Sequence, residues 1–338
     1  MSTKKRTLRI AINGFGRIGR HACKVALEKR GIDVVAINDL TDTNTLAHLF
    51  KYDTAYPTYT KKVSHDVKHL IIGNKKIIAL SERDPSMLPW KKLKIDIVIE
   101  ATGIFRDREK ASLHLKAGAK KVIISAPSKG DDIAGFVRGV NCNTYAGEDI
   151  IDNASCTTNC TAPVVQILEQ TFGIEKAMLT TIHSYTADQN LQDGPHKDLR
   201  RARAAAQNIV PTTTGAAIAT TKVIPELQQK FDGIAVRVPT ITVSLTDFTF
   251  LLKKDVTSEQ INAAFKKAAK GSHKGVLAVT DEALVSSDFI GNPYSSIVDL
   301  ALTKVVDGNL VKVISWYDNE WGYANRLVEM VSIMGKKM

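Results

Sequence analysis

Residues 8–20 read LRIAINGFGRIGR, and the fold is decided in this stretch. Leu8, Ile10 and Ile12 recur at every second position, which is strand spacing, and Gly14, Gly16 and Gly19 follow as G-x-G-x-x-G. Over residues 18–30 the apolar side chains of Ile18, Cys23, Val25, Ala26 and Leu27 can line one stripe of a helix. Strand, glycine turn and helix in this order give each glycine a task. Gly14 permits the tight turn, Gly16 lets backbone approach a pyrophosphate, and Gly19 allows the helix to pack closely on the strand. The amides at the helix N-terminus then meet negative charge. Asp39 ends the next strand, residues 33–38, at a position 20 residues after Gly19. A carboxylate there accepts bonds from both hydroxyls of an adenosine ribose and repels a 2′-phosphate, so NAD is expected in preference to NADP.

Outward from this unit the alternation continues. Residues 41–53 carry a short amphipathic pattern through Leu46, Leu49 and Phe50, and residues 61–80 read as a hairpin across Gly73 and Asn74. Residues 96–100 and 121–125 read as strands, with a helix over 108–117 between them. The expectation is an α/β fold: a Rossmann-type, doubly wound parallel sheet over residues 1–154. Beyond about residue 152 longer β-rich stretches take over, at 177–185, 234–237, 240–253 and 310–317, with helices at 161–172, 215–224 and 258–270. This second, catalytic domain, residues 155–318, is expected to be α+β on a largely antiparallel sheet. Tyr323, Leu327, Met330 and Val331 give the end of the chain, about 319–338, helical spacing, and it is expected to pack back on the first domain.

Composition narrows the class. A chain of 338 residues can bury two cores, and 46 basic against 35 acidic residues, a formal charge of +11, favours anionic ligands. Small phosphates and nucleic acid both qualify. Most of the charge is dispersed in pairs such as Lys75–Lys76 and Lys253–Lys254, as on a solvated surface, so nucleic-acid binding is not required. No apolar run reaches membrane length and the start has no uninterrupted apolar segment, so neither a membrane span nor export is expected. Four cysteines without a C-x-x-C pair point to a reducing cytoplasm rather than a disulfide framework or structural metal.

The chemistry centres on Ser155-Cys156-Thr157-Thr158-Asn159-Cys160, directly before an apolar helical segment. Cys156 therefore falls at a helix N-terminus, where the dipole and free amides are expected to lower the thiol's pKa and to hold an oxyanion. His183 lies in a strand-like run, on the same face as Thr181 and Leu179. An imidazole is suited to pair with a thiolate and shuttle a proton, but a core histidine is an equal reading, because spacing alone does not bring it to Cys156. Cys156, Cys160 and His183 as zinc ligands form a further alternative; they supply only three candidates without paired metal spacing, and no metal is expected.

Four stretches, residues 13–20 (NGFGRIGR), 154–160 (ASCTTNC), 196–205 (HKDLRRARAA) and 316–323 (WYDNEWGY), resemble the glyceraldehyde-3-phosphate dehydrogenase family, a likeness running from about Ile10 to Val328. The resemblance implies oxidative phosphorylation of glyceraldehyde 3-phosphate to 1,3-bisphosphoglycerate with reduction of NAD. Cys156 would add to the carbonyl, His183 would act as acid and base, and inorganic phosphate would cleave the thioester. It further implies that Thr186 and Arg237 hold the substrate's phosphate, and that Ser155, Thr157, Arg201, Thr214 and Gly215 serve phosphate binding. The run Arg200, Arg201 and Arg203 would lie near a neighbouring subunit's cofactor site. For NAD it implies Asn13, Gly14, Gly16, Arg17, Ile18 and Gly19 at the pyrophosphate turn, Asp39, Arg83 and Ser125 toward the adenosine half, and Asn319 on the nicotinamide carboxamide. A homotetramer is expected.

From the residues alone, Asn319 could equally cap the last helix, Thr214 could serve turn chemistry, and Arg237 could be a surface strand charge. Gly194 before Pro195, Ile241 after Thr240, and residues 134–138 depart from the family's pattern. An erythrose-4-phosphate dehydrogenase is the neighbouring activity, and a non-catalytic nucleotide- or RNA-binding module is the alternative from another class. Ser184-Tyr185-Thr186 with Thr214-Gly215 follows the three-carbon pattern, and a mere binder has no chemical need of Cys156, His183 and Arg237 together.

Overall fold

The computed structural model describes residues 6–338, which form two units. The first comprises residues up to 136, 142–154 and 324–338; the second comprises 137–141 and 155–323.

In the first unit β1 (Leu8–Asn13), α1 (Arg17–Glu28), β2 (Ile32–Asn38) and α2 (Thr43–Lys51) open the chain. Then come β3 (Val63–Asp66), β4 (His69–Ile72), β5 (Lys75–Leu80), β6 (Ile97–Glu100), α3 (Arg108–Lys116), β7 (Lys121–Ile124), β8 (Ala134–Gly135) and β9 (Ile150–Asp152). They make one nine-stranded sheet in the order β3-β4-β5-β2-β1-β6-β7-β9-β8. The central pairs β5–β2, β2–β1, β1–β6 and β6–β7 are parallel. Strands covered on both faces read as nearly continuous apolar runs, and Ile97, Val98 and Ile99 are fully buried. Residues 61–80 are not the single hairpin expected. Val67 and Lys68 add a second turn, held by the Lys68 N–H donating to Asp66 at 2.9 Å, so three short strands replace two.

Glycine governs the first turn. Gly14 has φ of +89°, and a Cβ there would come within 2.6 Å of the Thr102 nitrogen; one on Gly19 would lie 2.1 Å from the Gly14 oxygen. Nothing lies within 4 Å of where a Cβ on Gly16 would sit. Two glycines thus allow close packing, and the third leaves the helix start open.

The second unit contains α4 (Cys156–Phe172), β10 (Ile174–Ser184), β11 (Val210–Thr213), α5 (Ala216–Val223), β12 (Phe231–Val238) and β13 (Ser244–Leu252). It continues through α6 (Ser258–Lys270), β14 (Leu277–Thr280), β15 (Ser296–Val306) and β16 (Leu310–Tyr317) to α7 (Trp321–Gly335), whose residues from Ala324 onward belong to the first unit. Its seven strands run β11-β12-β10-β13-β16-β15-β14, with β10–β12 and β14–β15 parallel and the other pairs antiparallel. Helix α4 starts five residues before the expected position 161. Ser155 caps it, and Pro163, which suggests a helix start from sequence, lies inside it.

Candidate active site

Cys156 is the first residue of the 17-residue helix α4. Ser155 Oγ accepts the Thr158 N–H at 3.0 Å, satisfying a first-turn donor. Ala154 has φ of +53°, uncommon for a residue with a Cβ, and its N–H donates to Asp152 at 2.8 Å. The approach to the helix is thus fixed on both sides of the turn. Cys156 as a residue is half-buried at the positive end of the helix.

Strand β10 supplies His183. Leu179, Thr181 and His183 occupy its buried face, as two-residue periodicity requires. His183 Nε2 lies 3.5 Å from Cys156 Sγ, and Nδ1 lies 2.7 Å from the Ser184 carbonyl oxygen. A carbonyl only accepts, so Nδ1 carries the proton and the Nε2 lone pair faces the thiol. The fold thus brings His183 to Cys156, a meeting that spacing left open.

Arg237 pairs with His183 in the parallel register of β10 and β12. Its Nη1 donates to the Ser184 carbonyl and to Thr186 Oγ1, both at 3.1 Å. Its Nε is buried without a protein acceptor among the described residues, so a donor remains for an anion. The surface-charge reading of Arg237 is therefore replaced by a largely buried guanidinium beside the Cys–His pair.

Burial pushes the Cys156 thiol up, against the pull of Arg237 and of hydrogen bonds from Thr157 and from its own amide. This corrects the expectation that the helix terminus alone yields a low-pKa thiol: desolvation outweighs those contributions. His183 is held down at about 3, first by burial and then by Arg237, while its bond to Ser184 opposes both. A lone charge on either group is costly. Moving the proton from Sγ to Nε2 creates both charges together, and their attraction offsets part of that cost.

Tyr317 has no role assigned from sequence. Its hydroxyl lies 3.0 Å from Thr157 Oγ1 and 2.8 Å from Thr181 Oγ1, and its ring meets His183 edge-on, 5.9 Å between centroids. Its place depends on the pairing of β13 with β16, which no local spacing discloses. Cys160 turns elsewhere, toward the hydroxyls of Thr246 and Ser296 at 3.9 Å, and burial raises its thiol to about 12.

Asn319 is not the cap of α7. Asp318 accepts the N–H groups of Glu320 and Trp321, while Asn319 Oδ1 accepts from Ser244 Oγ at 3.0 Å. Thr214 and Gly215 open α5, and Thr214 Oγ1 accepts the Ala216 N–H at 3.2 Å, which agrees with turn chemistry. Arg201 Nε donates to Thr212 Oγ1 at 2.9 Å and Nη2 to the Thr213 carbonyl at 3.1 Å, with Asp188 paired to Nη1. Asp188 was not singled out from sequence.

In the first unit the glycine turn and Asp39 lie at the C-terminal ends of β1 and β2, the edge of an open α/β sheet where ligands are taken. Gly16 caps α1 without a side-chain bond, so the first-turn amides are not satisfied by a cap side chain. Asp39 Oδ2 accepts the Phe15 N–H at 2.8 Å and Oδ1 the Thr41 N–H at 3.1 Å, leaving lone pairs for ribose hydroxyls. Ile18 lies in the first turn of α1, and Arg17 pairs with Asp53 at 2.7 Å. Ser125 follows β7, its N–H donating to the Glu100 carbonyl at 2.9 Å, and Arg83 is exposed after β5. An uncapped helix start, a glycine with open space and a neighbouring carboxylate fit a dinucleotide.

Two family models match the chain. Residues 8–108 match the NAD binding domain of glyceraldehyde 3-phosphate dehydrogenase, and residues 155–319 match its C-terminal domain. Among curated relatives, glyceraldehyde-3-phosphate dehydrogenase of Geobacillus stearothermophilus is 53% identical over 332 residues, covering 98% of this chain and 99% of the relative. That of Mycobacterium avium is 54% identical over 340 residues, covering 98% and 100%. Glyceraldehyde-3-phosphate dehydrogenase 1 of Bacillus subtilis is 52% identical over 332 residues, covering 98% and 99%.

Proposed function

The chain belongs to the glyceraldehyde-3-phosphate dehydrogenase family, and on that premise we propose that Cys156 and His183 carry its reaction. It is an NAD-dependent glycolytic enzyme acting on glyceraldehyde 3-phosphate. The observation that carries the reading is the 3.5 Å contact of Cys156 Sγ with a histidine nitrogen whose lone pair faces it.

Sγ bonds to the aldehyde carbon while Nε2 takes the thiol proton and passes it to the new alkoxide, giving a hemithioacetal. The backbone amide of Cys156 suits the transient oxyanion. Nε2 then removes the hydroxyl proton as the carbonyl re-forms and the carbon loses a hydride. When bound, NAD supplies the two-electron acceptor for that hydride. A phosphate oxygen next bonds to the thioester carbon, the C–S bond breaks, and the imidazolium returns its proton to sulfur; the proton of the attacking phosphate is released to water. The product is 1,3-bisphosphoglycerate. Arg237 with Thr186 holds the substrate's phosphate by charge-assisted bonds, while Ser155, Thr157, Thr214, Gly215 and Arg201 serve the attacking one. Asn319, oriented by Ser244, bonds the nicotinamide carboxamide.

Asn13, Gly14, Gly16, Arg17, Ile18 and Gly19 form the pyrophosphate turn in this reading, with Asp39, Arg83 and Ser125 toward the adenosine. Replacing Asp39 by asparagine is expected to raise the KM for NAD on the order of 10-fold and to narrow the preference over NADP. Steady-state kinetics with both cofactors checks this, and an unchanged NAD-to-NADP ratio removes Asp39 from the ribose site.

Self-association into a homotetramer is supported by exposed apolar side chains on the second unit, Met178 and Ile234 on neighbouring strands and Leu302 on β15. Among the described residues no helix is long and apolar enough to cross a membrane. Four free cysteines suit a cytoplasmic setting.

The test is an NADH assay with and without phosphate, using glyceraldehyde 3-phosphate and erythrose 4-phosphate. Sustained turnover with the three-carbon aldehyde only when phosphate is present is expected, with a single-turnover burst in its absence. Preference for the four-carbon aldehyde, or turnover indifferent to phosphate, contradicts the reading.

A further inference from the structure

Beneath the glycine turn lies a chain of buried polar groups that the reaction does not use. Glu100 ends β6 with its side chain fully buried. Four donors converge on its two oxygens. Asn13 Nδ2 at 2.6 Å and His114 Nε2 at 2.9 Å meet Oε2, while the Thr102 N–H at 2.8 Å and the Thr102 hydroxyl meet Oε1. Trp90 Nε1–H donates to His114 Nδ1 at 3.0 Å, so Nδ1 is the acceptor and Nε2 carries the proton given to Glu100. Trp90 and His114 are both wholly buried.

The chain then reaches the cofactor side. Asn13 Oδ1 accepts from Asn38 Nδ2 at 2.7 Å, and Asn38 exchanges bonds with the backbone of Glu82, both at 2.8 Å. Asn13 directly precedes Gly14, Asn38 directly precedes Asp39, and the Gly14 N–H donates to the Asn38 carbonyl at 2.9 Å. The backbone of Ala101 and Thr102 is the surface a Cβ on Gly14 would strike. The ends of β6, β1 and β2 are thus laced together at the position where this fold takes its ligand. An apolar core would avoid the desolvation cost of a buried carboxylate and imidazole.

We propose that Glu100, held by His114 and Trp90, is a positioning residue for the dinucleotide, fixing the Gly14 turn and, through Asn13 and Asn38, the carboxylate of Asp39. This rests on the reading of the first unit as the NAD site. An amide in place of Glu100 offers one acceptor oxygen and one NH2 group, so in either orientation a donor faces donors. The turn then loses order that NAD binding must restore.

The test is isothermal calorimetry of NAD binding to the full chain for Glu100→Gln, His114→Leu, His114→Gln and Asp39→Asn, each with a thermal melt and the alkylation rate of Cys156. Glu100→Gln and His114→Leu are expected to raise the Kd on the order of 10-fold or more, because buried donors lose their acceptor. His114→Gln keeps a donor for Glu100 and is expected to restore most of the affinity, with Cys156 alkylation at the wild-type rate. Wild-type affinity in a folded Glu100→Gln, or equal losses in the two His114 variants, overturns the proposal. If Asp39→Asn alone weakens binding, only this inference fails; if the unaltered chain binds no NAD, the reading beneath it fails.

Discussion

Replacing Cys156 by serine is expected to lower NADH formation by roughly 10⁴-fold or more while the Kd for NAD stays within about twofold of wild type. The hydroxyl is smaller and far less acidic than the thiol, so the same imidazole activates it far less readily. Helix α4 keeps its cap, because Ser155 and Thr158 are untouched. Transient kinetics on the purified variant, with NAD titrated separately by calorimetry, checks both halves. Residual turnover within about tenfold of wild type would mean that another group carries the acyl chain.

His183→Asn is expected to reduce kcat by about 10²- to 10⁴-fold, the range for losing a positioned acid and base. It also changes the thiol itself. With the acceptor gone, burial keeps Cys156 protonated, so at fixed pH the thiolate fraction falls and iodoacetamide alkylation near pH 7 slows by roughly 10-fold or more. The sign follows from the raised pKa: the rate recovers as pH increases, since the anion then forms without help. Arg237 still pulls the thiol downward and limits the size of the change. A pH series of alkylation rates on the two proteins reads this directly. Identical rates near neutrality would show that the imidazole does not share the thiol's proton.

Local chemistry was legible; pairings across the sheet were not. Gly14, Gly16, Gly19 and Asp39 act within one strand–turn–strand segment, and the open space at Gly16 beside the crowded Gly14 and Gly19 agrees with spacing alone. Cys156 at a helix start follows from the apolar residues after it. Its meeting with His183 requires β10 to run beside β12 and under α4, information spread over the whole second unit. Tyr317 was hidden for the same reason. Glu100 read only as the last residue of the strand over 96–100, since its four donors come from three separate stretches of chain. The effect of burial on the thiol was illegible because a helix terminus is visible in sequence and a desolvated pocket is not.

The central claim is that Cys156 Sγ becomes covalently acylated. Its most direct test is peptide mass spectrometry of the enzyme quenched after mixing with glyceraldehyde 3-phosphate and NAD without inorganic phosphate. The account predicts about one 3-phosphoglyceryl group per chain on the peptide containing Cys156, formed with about one NADH, and lost when phosphate is added. An adduct on another residue, or NADH formed in sustained turnover with Cys156 unmodified, would contradict it.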